Sequence, residues 1–235
     1  MKYALALLAA LALAGCVSPR STPTYSIAAG EGAQAASTTR TGREDTDQAV
    51  YGDLIRTMLQ QEQYYAALAH IQAQQRRDGG SAELSYFEAE TRRKLGQFEA
   101  ADKLYRGLLR SDLAGEAYHG LGLLWSARDT RKGLVFLYEA AKRQPTNALV
   151  RNDFGYALMR AGRYREALPE FATAVELDPQ SSKARNNLLM LLILSGDESR
   201  AQRMAAEAGV SKETLSRLRK QALSLRAGSP AGGRS

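Results

Sequence analysis

The sequence predicts an all-α solenoid of about five helix pairs plus a C-terminal helix, carried behind a signal peptide and a flexible tether. Three observations predict it. First, the chain repeats itself at an offset of 34 residues: Arg151-Asn152-Asp153-Phe154-Gly155 aligns with Arg185-Asn186-Asn187-Leu188-Leu189, Gly162 with Gly196, Ala167 with Ala201, and Pro145 with Pro179. The same offset places Lys94–Tyr105 over Gln60–Ile71, with Phe98 over Tyr64 and Ala101 over Ala67. A fixed period of 20–50 residues marks a stack of supersecondary units that bury their apolar faces against one another. Second, 44% of the residues are hydrophobic, 24% are charged and only 6 are proline, which is a globular composition. Third, the repeats begin only after an apolar leader and a stretch without apolar periodicity.

The leader comes first. Lys2 is the only charge before Arg20, and residues 4–14 are all Ala or Leu. A short positive region followed by an apolar run of this length predicts a secretory signal over residues 1–15. It is too short to span a membrane, which takes about 20 apolar residues. Cys16 is the only cysteine and follows directly, so a disulfide framework is excluded. Leu13-Ala14-Gly15-Cys16 resembles the lipobox of bacterial lipoproteins. The resemblance implies that Cys16 is lipidated through its sulfur, that cleavage occurs before it, and that the new amino end is acylated. Two or more acyl chains hold a protein stably on a bilayer. Val17 stands where an Asp in that family favours retention at the inner membrane. The implied location is therefore the periplasmic face of the outer membrane.

Residues 16–45 are rich in Ser, Thr, Ala and Gly, and predict a lipidated, flexible tether. A coil of roughly 30 residues spans on the order of 30 Å. Residues 226–235 predict a disordered tail. The net charge is +7. A basic balance can signal nucleic acid, but an exported chain points instead to acidic protein surfaces, anionic headgroups or a solvated basic surface. No nucleic-acid partner is expected.

The repeat domain is expected over residues 46–210, with units starting near Gln48, Ala82, Gly115, Ala148 and Ser182. The best unit, Ala148–Ser181, places Gly155, Tyr164, Ala167, Phe171, Ala174 and Pro179 at positions 8, 17, 20, 24, 27 and 32. Gly155 and Ala167 suit a close helix–helix approach. Phe171 and Ala174 share one face of the second helix. Pro179 disfavours helix at Asp178, and Ser181 and Ser182 suit the next N-terminus. The third unit is degenerate, with Gly133 where Ala is expected and one loop residue missing. A last helix over residues 211–225 carries Leu215, Leu218, Ala222 and Leu225 on one face, with an N-cap at Ser211. It suits a solenoid end.

This period and residue pattern resemble the tetratricopeptide repeat. Arg151 and Leu158 depart from it at positions 4 and 11. The resemblance implies that the first helix of each pair lines a concave groove through positions 5, 9 and 12, which share one helical face. The implied protein-binding residues are Tyr86, Glu90 and Arg93; His119, Leu123 and Ser126; Asn152, Tyr156 and Met159; and Asn186, Met190 and Ile193. Leu123, Tyr156, Met159, Met190 and Ile193 would form an apolar strip, with the asparagines placed for a peptide backbone. The same residues would equally suit packing against the C-terminal helix folded back into the groove. The basic carboxylate clamp of some cochaperone repeats is absent at these positions.

No catalytic or metal site is expected. His70 and His119 lie in different units, and no cluster has metal-ligand spacing. Gly120-Leu121-Gly122 meets Trp125 where a dinucleotide loop needs its third glycine. No cofactor is implied. The whole layout of signal, tether and repeats resembles the lipoproteins of tight-adherence (Flp/Tad) pilus assembly. That resemblance implies a pilotin-like adaptor holding a segment of a secretin or another assembly component. The alternatives are a scaffold for cell-wall enzymes or outer-membrane protein assembly, and a carrier for a small ligand or polysaccharide.

Overall fold

The computed structural model describes residues 50–228. Cys16, the expected signal peptide and tether, and the end of the tail lie outside the described residues. All regular secondary structure among the described residues is helical. The helices run α1 (residues 50–60) and α2 (Tyr64–Asp78), α3 (Ala82–Lys94) and α4 (Phe98–Gly107), α5 (Ala114–Ser126) and α6 (Thr130–Arg143). They continue with α7 (Ala148–Arg160) and α8 (Tyr164–Leu177), α9 (Ser182–Leu194) and α10 (Glu198–Glu207), and finally α11 (Lys212–Gly228). Between α2 and α10, each helix packs on the next in the chain, and the first helices α3, α5, α7 and α9 also touch in order. This is the expected helical-repeat solenoid.

The turns inside the pairs show how the sequence makes the repeat. At Gly96, Gly162 and Gly196 the backbone is left-handed, with φ of 72°, 75° and 83°. The next amide in each case reaches back five residues: Gln97 to Arg92 (2.8 Å), Arg163 to Leu158 (2.9 Å) and Asp197 to Leu192 (2.9 Å). That is the helix-ending arrangement that satisfies late carbonyls and favours glycine. The first pair makes the same turn, with Gln63 N–H on the Met58 carbonyl at 2.9 Å. There, however, the left-handed residue is Glu62, at φ 60°.

The entries are capped. The Ser81 hydroxyl accepts from the Leu84 amide at 3.1 Å, and Ser181 from Ala184 at 3.3 Å. Asn147 accepts from Leu149 and Val150. Each cap satisfies amides that a helix N-terminus leaves open. α8 stops at Leu177, with Asp178 as its cap ahead of Pro179.

The degenerate third pair has a physical account. Its turn lacks the left-handed residue, and the Asp129 amide bonds directly to the Trp125 carbonyl at 2.7 Å. The Asp129 carboxylate caps α6. The tight turn draws α6 onto the end of α5. A Cβ on Gly133 would lie 2.7 Å from both Cα and N of Ser126, so the backbones touch where an alanine would clash. Gly120 and Gly122 are packing positions as well: a Cβ there would strike the Tyr105 ring and the Leu137 side chain.

The core runs along the stack. Ile55, Ile71 and Phe87 fill the first part. Ala89, Phe98, Tyr105 and Leu121 fill the second. The third and largest part extends from Leu134 through Phe171 and Leu191 to Leu218 and Ala222 of α11. α11 packs on α9. Its Arg219 bonds through Nε to Glu198 at the start of α10, at 2.7 Å. No described helix is long and apolar enough to cross a membrane.

Candidate functional site

The first helices α3, α5, α7 and α9 form one face, and the expected groove residues lie on it in two groups. The first is a polar ladder. On α3, Glu90 accepts from Arg93 Nη2 at 2.6 Å and from the Tyr105 hydroxyl. Burial alone would raise the Glu90 carboxyl. The Arg93 charge and the two hydrogen bonds outweigh it and hold the carboxyl below its ordinary range. The neighbouring Tyr86 hydroxyl is pushed up, first by burial and then by the nearby carboxylates.

On α5, His119 Nε2–H donates to Asp153 Oδ2 of α7 at 2.9 Å. The other Asp153 oxygen accepts from Lys183 Nζ of α9 at 2.8 Å and from Asn152 Nδ2 at 3.0 Å. The Asn152 side-chain Oδ1 in turn accepts from Asn187 Nδ2 at 2.8 Å. Burial would raise the Asp153 carboxyl too, but the hydrogen bonds from His119 and Lys183 hold it low. Three successive pairs are thus tied edge to edge across their first helices. Asp153, Lys183, Asn187 and Tyr105 were not among the residues that spacing nominated. One signal for them exists in the sequence: His119 and Asp153 are one repeat length, 34 residues, apart. Residues one period apart sit side by side on neighbouring first helices.

The second group is apolar, and here the expectation needs correcting. Leu123 and Tyr156 line an open recess of about 180 Å³, together with Ser126, Asp153 and Arg160. Tyr156 is 37% exposed. Ser126 donates its hydroxyl to the Gly122 carbonyl at 2.6 Å. Met159 and Met190, by contrast, are 1% and 5% exposed and belong to the core. Asn152 is likewise buried, and Ile193 packs half-buried against the same core. Asn186 is half-buried. The strip read from positions 5, 9 and 12 covers a wider arc than the hollow leaves open. Neighbouring helices take its edge. At α9 the core that includes Met190 also holds Leu218 and Ala222 of α11, so the C-terminal helix covers that end. The recess between α5 and α7 stays accessible.

Among the described residues no group of three or more His, Cys, Asp or Glu side chains has the arrangement of a metal site. What this face offers is a tyrosine ring, an apolar wall, a guanidinium and a fixed carboxylate. Those groups suit holding a polypeptide segment.

Stacked helix pairs with an accessible face on their first helices define a repeat scaffold. Comparison with known proteins agrees. A family model described as tetratricopeptide repeat matches residues 158–212. Over 159 residues the chain is 35% identical to the TPR repeat-containing protein PA4299 of Pseudomonas aeruginosa. That match covers 67% of this chain and 63% of the relative. The chain therefore spans under two thirds of that protein's length. Among solved structures, TTC0263, a thermophilic TPR protein of Thermus thermophilus, superposes with a TM-score of 0.59 at 20% identity, covering 76% of this chain and 98% of that one. YrrB, described as a TPR protein with an unusual peptide-binding site, superposes with a TM-score of 0.53 at 20% identity, covering 77% and 97%. Residues 158–212 thus match a tetratricopeptide repeat, and the described residues have the fold of a tetratricopeptide-repeat solenoid.

Proposed function

We propose that this chain is a lipid-anchored adaptor that holds a protein segment on its first-helix face and assists assembly of a pilus or secretion apparatus. The observation that carries the binding role is the recess between α5 and α7, where Tyr156 stands exposed beside Leu123 and Arg160. An aromatic ring in an apolar recess with polar groups at its edge is a common anchor for a partner's side chain. The fixed His119–Asp153–Lys183 ladder holds α5, α7 and α9 in register, so the recess is formed before the partner arrives. Pre-formed sites lose less entropy on binding.

The lipobox-like Leu13-Ala14-Gly15-Cys16 and the Ser/Thr-rich stretch after it support the anchor and tether. Their resemblance to tight-adherence pilus lipoproteins supports the pilotin-like version, with a secretin segment or another assembly component as partner. The site would face the periplasm from the outer membrane. Scaffolding of cell-wall enzymes or of outer-membrane protein assembly is the alternative.

A photocrosslinker at position 156 in living cells tests the reading. Capture of a secretin or pilus component, lost on Cys16→Ser, is the expected result. Capture of hydrolases or barrel-assembly proteins alone would transfer the role to the alternative. Labelled palmitate absent from the purified protein would remove the anchor.

A further inference from the structure

The second helices carry a cleft that the adaptor reading does not use. It lies between α6 and α8, has a volume of about 610 Å³, and is floored by Phe154 and Leu158 of α7. Leu134, Val135 and Tyr138 wall it on α6, and Pro169 on α8. Val135 and Tyr138 are 62% and 55% exposed, high for residues of their size and polarity. They line the same opening. Pro169 has no N–H to offer the Arg165 carbonyl one turn earlier, so this wall also lacks one rung of the helix ladder.

The rim is charged, and its charge is unbalanced. Two carboxylates stand there, and both are already engaged: Glu166 with Arg163, and Glu170 with Arg151 at 2.8 Å. Two further rim arginines, Arg131 and Arg165, are exposed and make no ion pair or side-chain hydrogen bond among the described residues. The cleft therefore presents an aromatic and aliphatic interior between two free guanidinium groups, which favour bidentate carboxylate partners.

We infer that the α6–α8 cleft is a second docking site, which takes an acidic segment of another protein bearing a bulky apolar side chain. Charge selects this occupant over the chain's own candidates. A second copy carries net +7, so two copies repel on average. Ahead of α1 the acidic residues are Glu31, which stands alone, and Glu44, Asp45 and Asp47, which have no bulky apolar residue among them; residues 229–235 contain no acid. With the Tyr156 recess on the opposite helices of each pair, one molecule would hold two segments at once, which suits a scaffold more than a single-ligand chaperone.

The test uses the full chain and a fluorescent peptide of alternating Asp and Glu interrupted by one Phe and one Leu, read by anisotropy. A matched peptide with Lys replacing the acids serves as comparison. Saturable binding of the acidic peptide is expected, with little binding of the basic one. Arg131→Glu with Arg165→Glu should weaken the acidic peptide about tenfold or more, and Val135→Asp should do the same. These residues are exposed, and circular dichroism should confirm that each variant stays folded. Tyr156→Asp should leave this binding unchanged, which separates the cleft from the first-helix site. Equal binding of both peptides, no saturable binding, or full affinity in the double arginine variant would overturn the proposal. So would binding that disappears with Tyr156→Asp, or sedimentation showing the cleft filled by a second copy.

Discussion

Removing the Asp153 carboxylate should destabilise the solenoid by about 3 kcal/mol. The figure follows from what the carboxylate touches. Its side chain is 10% exposed and that of His119 is 13% exposed, with 2.9 Å between them. A hydrogen bond to a charged group contributes about 1.5–3 kcal/mol. Asn152, buried at 2% exposure, would be left with an unused donor at a cost of about 1–3 kcal/mol. The Lys183 side chain is 60% exposed and recovers its hydration, so that pair adds at most about 1 kcal/mol. These contributions share one carboxylate and do not sum in full. For a domain of this size about 3 kcal/mol corresponds to a drop in Tm of roughly 6–12 °C. Urea unfolding of Asp153→Ala, followed by circular dichroism, measures it. Asp53→Ala breaks an exposed Arg56 pair and should cost no more than about 1 kcal/mol. A double-mutant cycle with His119→Ala should return a coupling of at least about 1 kcal/mol. If Asp153→Ala costs no more than Asp53→Ala, or the cycle shows no coupling, the ladder is solvated and does not hold the units in register.

Other consequences follow from the same structure. Asp153 and Glu90 are both held below their ordinary carboxyl range in the fold. Their stabilisation is present above the unfolded values, near pH 4, and is lost as pH falls through the folded ones. The urea midpoint should therefore change little from these groups between about pH 7 and 5 and fall below about pH 4, less steeply in Asp153→Asn. Glu62→Gly should raise stability by roughly 0.5–1 kcal/mol, because it places glycine at the left-handed turn position that glycine holds in three other pairs. Gly133→Ala should cost about 1–3 kcal/mol through its contact with the Ser126 backbone. Gly107→Ala, where an added Cβ meets nothing within 4 Å, should be neutral or slightly stabilising; a loss there equal to that of Gly133→Ala would undo the packing argument.

The helix pairs were legible in the sequence because their signals are local. A 34-residue period, a glycine at most of the turns and a serine or asparagine before several first helices act within a few residues of themselves. They produce the same turn wherever they recur. Even the slip in the third pair was visible, as Gly133 and a missing residue. The site was legible only in part. Spacing put the groove residues on one helical face, but a face is half a cylinder, and the neighbouring helices decide how much of it remains open. Tertiary packing sent Met159 and Met190 inward, left Tyr156 and Leu123 at the recess, and drew α11 over the far end. Chain order does not show which side chains meet across units. His119, Asp153 and Lys183 are spread along the chain at about repeat-length distances, and only the stacking of α5, α7 and α9 brings one proton donor, one carboxylate and one ammonium into hydrogen-bonding contact. The cleft between α6 and α8 is likewise a product of stacking. Its walls come from two units, and neither unit alone encloses it.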